Sequence, residues 1–147
     1  MLSPANYTKI LPALMLLLVC ACNQRPERFI TAPALDTLSS RHTIMNEKKL
    51  QQLTQFGVDQ KSGISLDFFF TTNDSAKAQS LSDELSALQY HMNTVHASSG
   101  NVHLFVASGS SSRMVMNLQS VNAWTDSMCH AGYRHDCSFS GWNPVTE

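Results

Sequence analysis

The sequence has 147 residues, 43% of them hydrophobic and 14% charged, and its ten Lys and Arg against eleven Asp and Glu give a net charge of −1. A chain of this length fits one domain of ordinary size. Because affinity for a nucleic-acid backbone grows with the number of cationic contacts, this near-neutral balance disfavours nucleic-acid binding.

Residues 1–21 are predicted to be a secretory signal peptide. An almost purely apolar run, Ile10 to Cys20, follows the cationic Lys9. This run is shorter than the roughly 20 apolar residues that a membrane-spanning helix requires. The alternatives are an uncleaved anchor and a plain secretory signal.

The end of this signal resembles the bacterial lipoprotein motif, in which an aliphatic residue and two small residues precede a cysteine. The stretch Val19-Cys20-Ala21-Cys22 holds two cysteines, and the small Ala21 favours cleavage before Cys22, which would then carry the lipid. In the lipoproteins that the motif resembles, Asp after the cysteine favours the inner membrane. Asn23 therefore indicates a lipid-anchored protein of the outer membrane that faces the periplasm.

Residues 22–42 are predicted to form the lipidated tether and residues 43–147 the folded domain. The tether contains Pro26, Pro33 and Ser39-Ser40 without a sustained apolar period. Removal of the signal takes away Lys9 and leaves nine cationic and eleven acidic side chains, a net charge of −2.

The domain begins with a predicted helix that Thr43 can cap and that ends at Gly57. Its apolar face comprises Ile44, Leu50, Leu53 and Phe56. Residues 64–71 then alternate as in a half-buried strand, except that Phe69 interrupts the polar side. Phe69 is expected either to lie beneath a covering element or to be exposed at a contact site.

A second helix is predicted after the capping residues Thr72 to Asp74. Its buried face comprises Ala78, Leu81, Leu85 and Leu88. Residues 90–97 and 102–107 read as a hairpin that turns at 98–101. Residues 108–112 are predicted to be a loop, and residues 113–117 extended or irregular.

A third helix is predicted from about Leu118 to Ala131, with Gly132 as its stop. Its apolar face comprises Val121, Trp124 and Met128. A last strand follows over 133–140, in which Tyr133, His135, Cys137 and Phe139 share one face.

The order strand, helix, strand, strand, helix, strand predicts an α+β fold. With right-handed crossovers this order gives the ferredoxin-like split βαβ arrangement, a four-stranded antiparallel sheet with two helices on one face. The short helix that starts at Thr43 precedes it.

From about Leu50 to Val145 the chain resembles the regulator of ribonuclease activity B family. The shared features are an aromatic-rich strand at 66–70, a Leu-patterned helix ending near Tyr90, a third helix bearing Trp124, and a closing Gly-Tyr-x-His-Asp-Cys-x-Phe-x-Gly-Trp stretch, Gly132 to Trp142. The resemblance implies a ferredoxin-like fold and a non-enzymatic binding domain. Family members in the cytoplasm bind ribonuclease E and restrain its RNA cleavage.

The family's cytoplasmic type is strongly acidic, whereas this domain is nearly neutral and follows a signal sequence. We therefore expect an exported, membrane-anchored binding module with an unknown protein partner. A ribonuclease E inhibitor of the cytoplasmic type is the alternative. The candidate partner-binding residues are Phe69, Tyr133, Asp136, Phe139, Gly141 and Trp142.

Trp142 follows a predicted Gly141 turn and has two interpretations. It is either a core side chain that closes the sheet or an exposed contact residue, and we expect burial with a partly exposed ring edge.

Cys129 and Cys137 are predicted to form a disulfide in an oxidising compartment, with two buried thiols as the alternative. A zinc site that adds His130 and His135 is disfavoured because no Cys-x2-Cys knuckle exists. The hairpin histidines His91, His96 and His103 are expected to be solvated. No cofactor is expected.

No enzymatic activity is predicted. The serines Ser108 to Ser112 lie in no Gly-x-Ser-x-Gly elbow and have no phosphate-binding lysine beside them. Asp83-Glu84 are expected on an exposed helix face, and Asp136 is expected to pair with Arg134 at the surface.

Overall fold

The computed structural model describes residues 27–59, 61 and 63–145. The predicted signal peptide, Cys22 and the first residues of the predicted tether lie outside these ranges. The described residues form three helices, α1 (Ala32–Gln55), α2 (Ser75–Ala87) and α3 (Leu118–Arg134). They also form seven strands: β1 (Gly63–Ile64), β2 (Leu66–Thr72), β3 (His91–Met92), β4 (His96–Ser98), β5 (Asn101–Ser110), β6 (Met114–Val115) and β7 (Ser138–Pro144). None of these helices combines the length and hydropathy needed to cross a membrane.

Helix α1 begins at Ala32 instead of Thr43, so residues 32–42 of the predicted tether are helical. Thr31 caps the helix by accepting a hydrogen bond from the Ala34 N–H at 3.4 Å. Pro33 lies in the first turn, where its missing N–H costs nothing. The proline therefore marks the start of a helix and not a tether.

The buried side of α1 matches the predicted apolar face only in part, because Leu50 is buried and Leu53 packs against the core while the other two predicted residues are exposed. Ile44 and Phe56 are 59% and 85% exposed. The buried residues are Leu35, His42, Asn46 and Leu50. Because two of the four are polar, the apolar period alone gives only part of the buried face.

Five strands form one antiparallel sheet in the order β3-β5-β2-β7, with β4 also paired to β5. Strands β1 and β6 form a separate antiparallel pair. The predicted α+β class and antiparallel sheet are confirmed. The sheet has five strands where four were predicted, because the predicted strand 90–97 is divided into β3 and β4 around residues 93–95.

Strand β5 continues through residues 108–110, which were predicted to be loop. The small residues there allow close packing. A Cβ atom on Gly109 would lie 2.5 Å from the His91 carbonyl oxygen and 3.0 Å from the Phe68 ring. Beyond the strand, Ser111 is buried and its Oγ accepts a hydrogen bond from the Leu66 N–H at 2.9 Å.

The helices pack on the face of β2 that carries Leu66, Phe68 and Phe70, which are all buried as predicted. In α2, Asp74 caps the N-terminus by accepting from the Ala76 N–H at 2.8 Å. Leu88 was predicted to be buried but is 59% exposed, because it is the C-cap residue of α2.

Helix α3 continues past Gly132 to Arg134, so the predicted stop at this glycine is wrong. A Cβ atom on Gly132 would lie 2.5 Å from the Cys137 carbonyl oxygen and 3.0 Å from the Phe70 ring. This glycine allows a close approach within the fold. The helix ends at Arg134 with His135 as its C-cap, and the left-handed backbone of the next residue, Asp136 (φ 58°), accompanies a hydrogen bond from the Cys137 N–H to the Gly132 carbonyl oxygen at 2.8 Å.

The last strand therefore starts at Ser138 and not at Tyr133. It continues through Gly141, where a turn was predicted. A β-bulge lies at this point, because Phe139 pairs with Phe70 while Gly141 pairs with Phe69. Gly141 has φ 134°, and the extra residue lets both Phe139 and Trp142 lie in the core.

Candidate functional site

A fully hydrogen-bonded polar cluster joins α1, α3 and β7 inside the core. Asn46 Nδ2 donates to Asn122 Oδ1 and to Thr125 Oγ1, both at 2.9 Å. Asn46 Oδ1 accepts from the Trp142 indole N–H at 2.8 Å. Among the described residues, no buried side-chain nitrogen or oxygen lacks a partner. The cluster therefore fixes the position of α1 without leaving a group for chemistry.

Two further side chains of α1 bind the backbone of β7, which is an edge strand of the sheet. His42 Nε2 donates to the Phe139 carbonyl oxygen at 3.1 Å. Lys49 Nζ donates to the Trp142 carbonyl oxygen and lies 4.6 Å from the centre of the Trp142 ring. Burial lowers the pKa of both His42 and Lys49.

Asp136 binds the segment that precedes α1. Its carboxylate accepts hydrogen bonds from the Phe29 and Ile30 backbone N–H groups, each at 3.0 Å. It also pairs with Lys77 at 2.6 Å and with Arg28 at 3.4 Å. We call Asp136 with these four partners the Asp136 clamp.

The charge of Asp136 is strongly favoured in this environment. Burial alone would raise the pKa of its carboxyl, but the hydrogen bonds from Lys77, Ile30 and Phe29 outweigh burial and lower the pKa to about 2. Arg28 also donates to the Tyr133 carbonyl oxygen, and its guanidinium lies 4.0 Å from the centre of the Tyr133 ring. The predicted surface pair between Asp136 and Arg134 is not formed, because Arg134 pairs with Glu84.

A serine, a histidine and a carboxylate form a row between α2 and the end of α3. Ser80 Oγ lies 3.0 Å from His135 Nδ1, and His135 Nε2 contacts Glu84. The hydrogen bond from Arg134 and then that from His135 lower the pKa of Glu84. A serine nucleophile also needs an enclosed site and donors for the oxyanion, whereas Ser80 lies on the exposed side of α2. The row joins two helices.

Cys129 and Cys137 are free thiols, and both are buried. The predicted disulfide is not formed in the structure, which has the two buried thiols of the alternative interpretation. Burial raises the pKa of Cys129 to about 12 and that of Cys137 to about 11. Within the described ranges no three His, Cys, Asp or Glu side chains are grouped as metal ligands. His91, His96 and His103 are exposed.

The face of the sheet opposite the helices is mostly polar. Phe69 lies on this face, 36% exposed, between Ser108 of β5 and Gly141 of β7. Hydroxyl groups surround it, and Ser110 Oγ donates to Asp67 Oδ1 at 2.6 Å. Phe69 is thus the most exposed candidate partner-binding aromatic of the prediction.

A more apolar surface lies where α1 ends beside β1 and β7. It is a groove of about 590 Å³. We call it the apolar groove, and its apolar lining includes Leu53, Phe56, Val58, Ile64, Pro144 and Val145. Phe56 projects most, and large apolar side chains grouped at a surface commonly mark protein contacts. The sequence pattern missed this surface because it assigned Phe56 to the core.

The other predicted partner-binding residues are not available as a contact patch. Phe139, Gly141 and Trp142 are buried, and Trp142 is only 2% exposed. Tyr133 is half-buried beneath Arg28, and Asp136 is occupied by its clamp. The closing Gly132 to Trp142 stretch thus supplies residues of the core and of the Asp136 clamp. The surfaces open to a partner, Phe69 and the exposed apolar residues of the apolar groove, lie outside it.

The sequence model of the family described as regulator of ribonuclease activity B matches residues 43–143, from the middle of α1 into β7. No curated protein matches the chain. The matched span includes Asp136 but not Arg28, Phe29 and Ile30, which the clamp holds.

Proposed function

Because the chain belongs to the regulator of ribonuclease activity B family, we propose that it is an exported, non-enzymatic protein-binding module held to the outer membrane by lipid on Cys22. The family match over residues 43–143 carries the binding role. The apolar run followed by Val19-Cys20-Ala21-Cys22 supports export and lipidation. We also infer a ferredoxin-like sheet whose second strand is divided, since the order β3-β5-β2-β7 suits it.

The lipid anchor is tested by substitution at Cys22. We expect Cys22→Ser to abolish palmitate labelling and to release the domain from membranes, because stable attachment depends on the acyl chains. Metabolic labelling followed by membrane fractionation measures both effects, and Cys20→Ser is the matched control that should keep the label. Full retention of Cys22→Ser in the membrane fraction would contradict lipidation at this residue.

The apolar groove is the docking surface that best suits the protein partner. The partner would bring an apolar segment, because Phe56, Val58, Ile64 and Val145 offer almost no charge to pair. Aromatic side chains, Phe among them, are enriched at protein–protein interfaces. Lys49 and Trp142 form the floor of the groove and are already engaged with each other.

This docking site is tested in living cells with a photo-crosslinking amino acid at position 56. We expect one discrete adduct there and none at position 44, where Ile44 is also well exposed but lies outside the groove. The adduct should disappear when Val145→Asp places a charge in the groove. Equal adducts at both positions, or an adduct that survives Val145→Asp, would contradict the site.

The alternative function is inhibition of ribonuclease E in the manner of the cytoplasmic type. It predicts that the chain without lipid slows RNA cleavage by purified ribonuclease E, and that Phe56→Ser weakens this effect. Unchanged cleavage at an excess of the chain would exclude the alternative and leave the exported module.

A further inference from the structure

The Asp136 clamp fixes the first described residues of the chain to one end of the domain. Phe29 and Ile30 are held through their backbone N–H groups, and Arg28 is held by its guanidinium. Ile30 is itself buried. Position 28 is therefore a defined point on the surface of the domain and not the middle of a tether.

The distance from this point to the lipid is limited by covalent geometry. Five residues separate Cys22 from Arg28 in the sequence. A chain advances at most about 3.6 Å per residue, so over six steps Arg28 lies within about 22 Å of the lipidated cysteine whatever conformation these residues adopt. This reach is shorter than helix α1, whose 24 residues extend over about 36 Å.

Helix α1 leads from the clamp to the apolar groove. It has 24 residues, starts two residues after Ile30 and ends beside Phe56. At 1.5 Å per residue it is about 36 Å long. The clamp and the groove thus lie at opposite ends of the domain.

We infer that the end of the domain carrying Arg28, Lys77, Tyr133 and Asp136 rests against the lipid surface that holds Cys22, so that the apolar groove faces away from the bilayer. This inference rests on the proposed lipidation. Chain length sets the orientation. Electrostatic attraction to the lipid adds little, because Asp136 neutralises one of the two charges of Arg28 and Lys77. The partner then reaches the groove from the aqueous compartment.

The orientation is tested on the lipidated full-length protein in vesicles that contain lipid with a nitroxide on its headgroup. A fluorophore is attached through Ala76→Cys, next to Lys77, or through Gln55→Cys at the far end of α1; both positions are exposed. The native thiols Cys129 and Cys137 are buried and resist labelling. We expect quenching at position 76 to be several-fold greater than at position 55.

Variants test whether the Asp136 clamp causes this orientation. Asp136→Asn keeps a residue that tolerates the left-handed backbone but loses the charge. This variant should reduce the difference in quenching between positions 76 and 55. Asp83→Asn, on the exposed side of α2, should leave the difference unchanged. Circular dichroism checks that each variant is folded.

The outcomes are distinct. Palmitate on Cys22 with equal quenching at both positions would overturn the orientation alone. A difference that persists in Asp136→Asn would overturn the clamp as its cause. Absence of palmitate from Cys22 would overturn the proposed anchor and this inference together.

Discussion

Asn46 uses its whole side-chain amide inside the core. It donates twice and accepts once, and its three partners belong to α3 and β7. A buried amide is tolerated only when its hydrogen bonds are made, so each partner is positioned by the others. Hydrophobic patterning cannot find such a residue, although its spacing of four from His42 and Leu50 matches a helical face.

Trp142→Ala should be among the most destabilising substitutions in the domain. It removes a large buried side chain and leaves Asn46 Oδ1 without its donor. We expect a loss of about 3–5 kcal/mol in the free energy of unfolding, measured by urea denaturation. Ile44→Ala, on the exposed side of α1, is the control and should change stability by less than about 0.5 kcal/mol. A melting temperature for Trp142→Ala close to that of the parent would refute this role.

His42 should make the folded state sensitive to mild acid. Burial lowers its pKa below 6.5; the bond to the Phe139 carbonyl opposes this, and the charges of Lys49 and Arg41 add to it. Below pH 6.5 the unfolded chain binds a proton at His42 that the folded chain refuses, so stability falls as pH decreases until the folded-state pKa is reached.

Through His42, the free energy of unfolding should change by at most about 1.4 kcal/mol per pH unit. Urea denaturation between pH 7.5 and pH 5.5 measures it, and His42→Gln should have a shallower dependence because its amide does not titrate. Parallel curves for the two proteins would show that His42 is not responsible.

The two core thiols should be unreactive until the domain unfolds. The pKa values of Cys129 and Cys137 are raised to about 12 and about 11, so almost no thiolate exists near pH 8. We expect slow reaction with a maleimide in buffer and addition of two groups at these residues in denaturant without a reductant, measured by mass spectrometry. A protein from which denaturant alone releases no thiol would instead contain the disulfide.

The element boundaries missed by periodicity have identifiable causes. Pro33 suggested a tether, but a proline in the first turn is equally a helix-start signal, and Thr31 supplies the cap. In β7 the bulge separates Phe139 and Trp142 by three residues while both stay inside the core. A strict alternation of two places them on opposite faces, so the sequence suggested a turn at Gly141.

Gly132→Ala tests the close packing of α3 against the sheet. Alanine favours a helix over glycine by about 1 kcal/mol, but here its methyl group would meet the Cys137 carbonyl oxygen and the Phe70 ring. We expect net destabilisation of about 1–3 kcal/mol in thermal or urea unfolding. Ser127→Ala, on the exposed side of α3, is the control and should be near neutral. A stabilised Gly132→Ala would mean that the close approach relaxes at no cost.

At the scale of the molecule, the α+β class followed from alternation in β2 and from the Leu spacing of α2, because these elements bury ordinary apolar residues. The polar half of the buried face of α1 and the clamp did not follow. Both depend on polar groups far apart in sequence, such as Asp136 with Phe29. The candidate surface was missed for a different reason, because Phe56 counts as apolar in any pattern whether it is buried or exposed.

The two edges of the sheet determine whether another copy of the chain can add a strand to it. An open row of backbone N–H and C=O groups is a template on which a strand of another copy can add. At one edge, His42 and Lys49 occupy the carbonyl oxygens of Phe139 and Trp142. At the other, β3 and β4 have only two and three residues. Among the described strands, neither edge favours growth of the sheet, so copies of the domain are disfavoured from polymerising strand by strand.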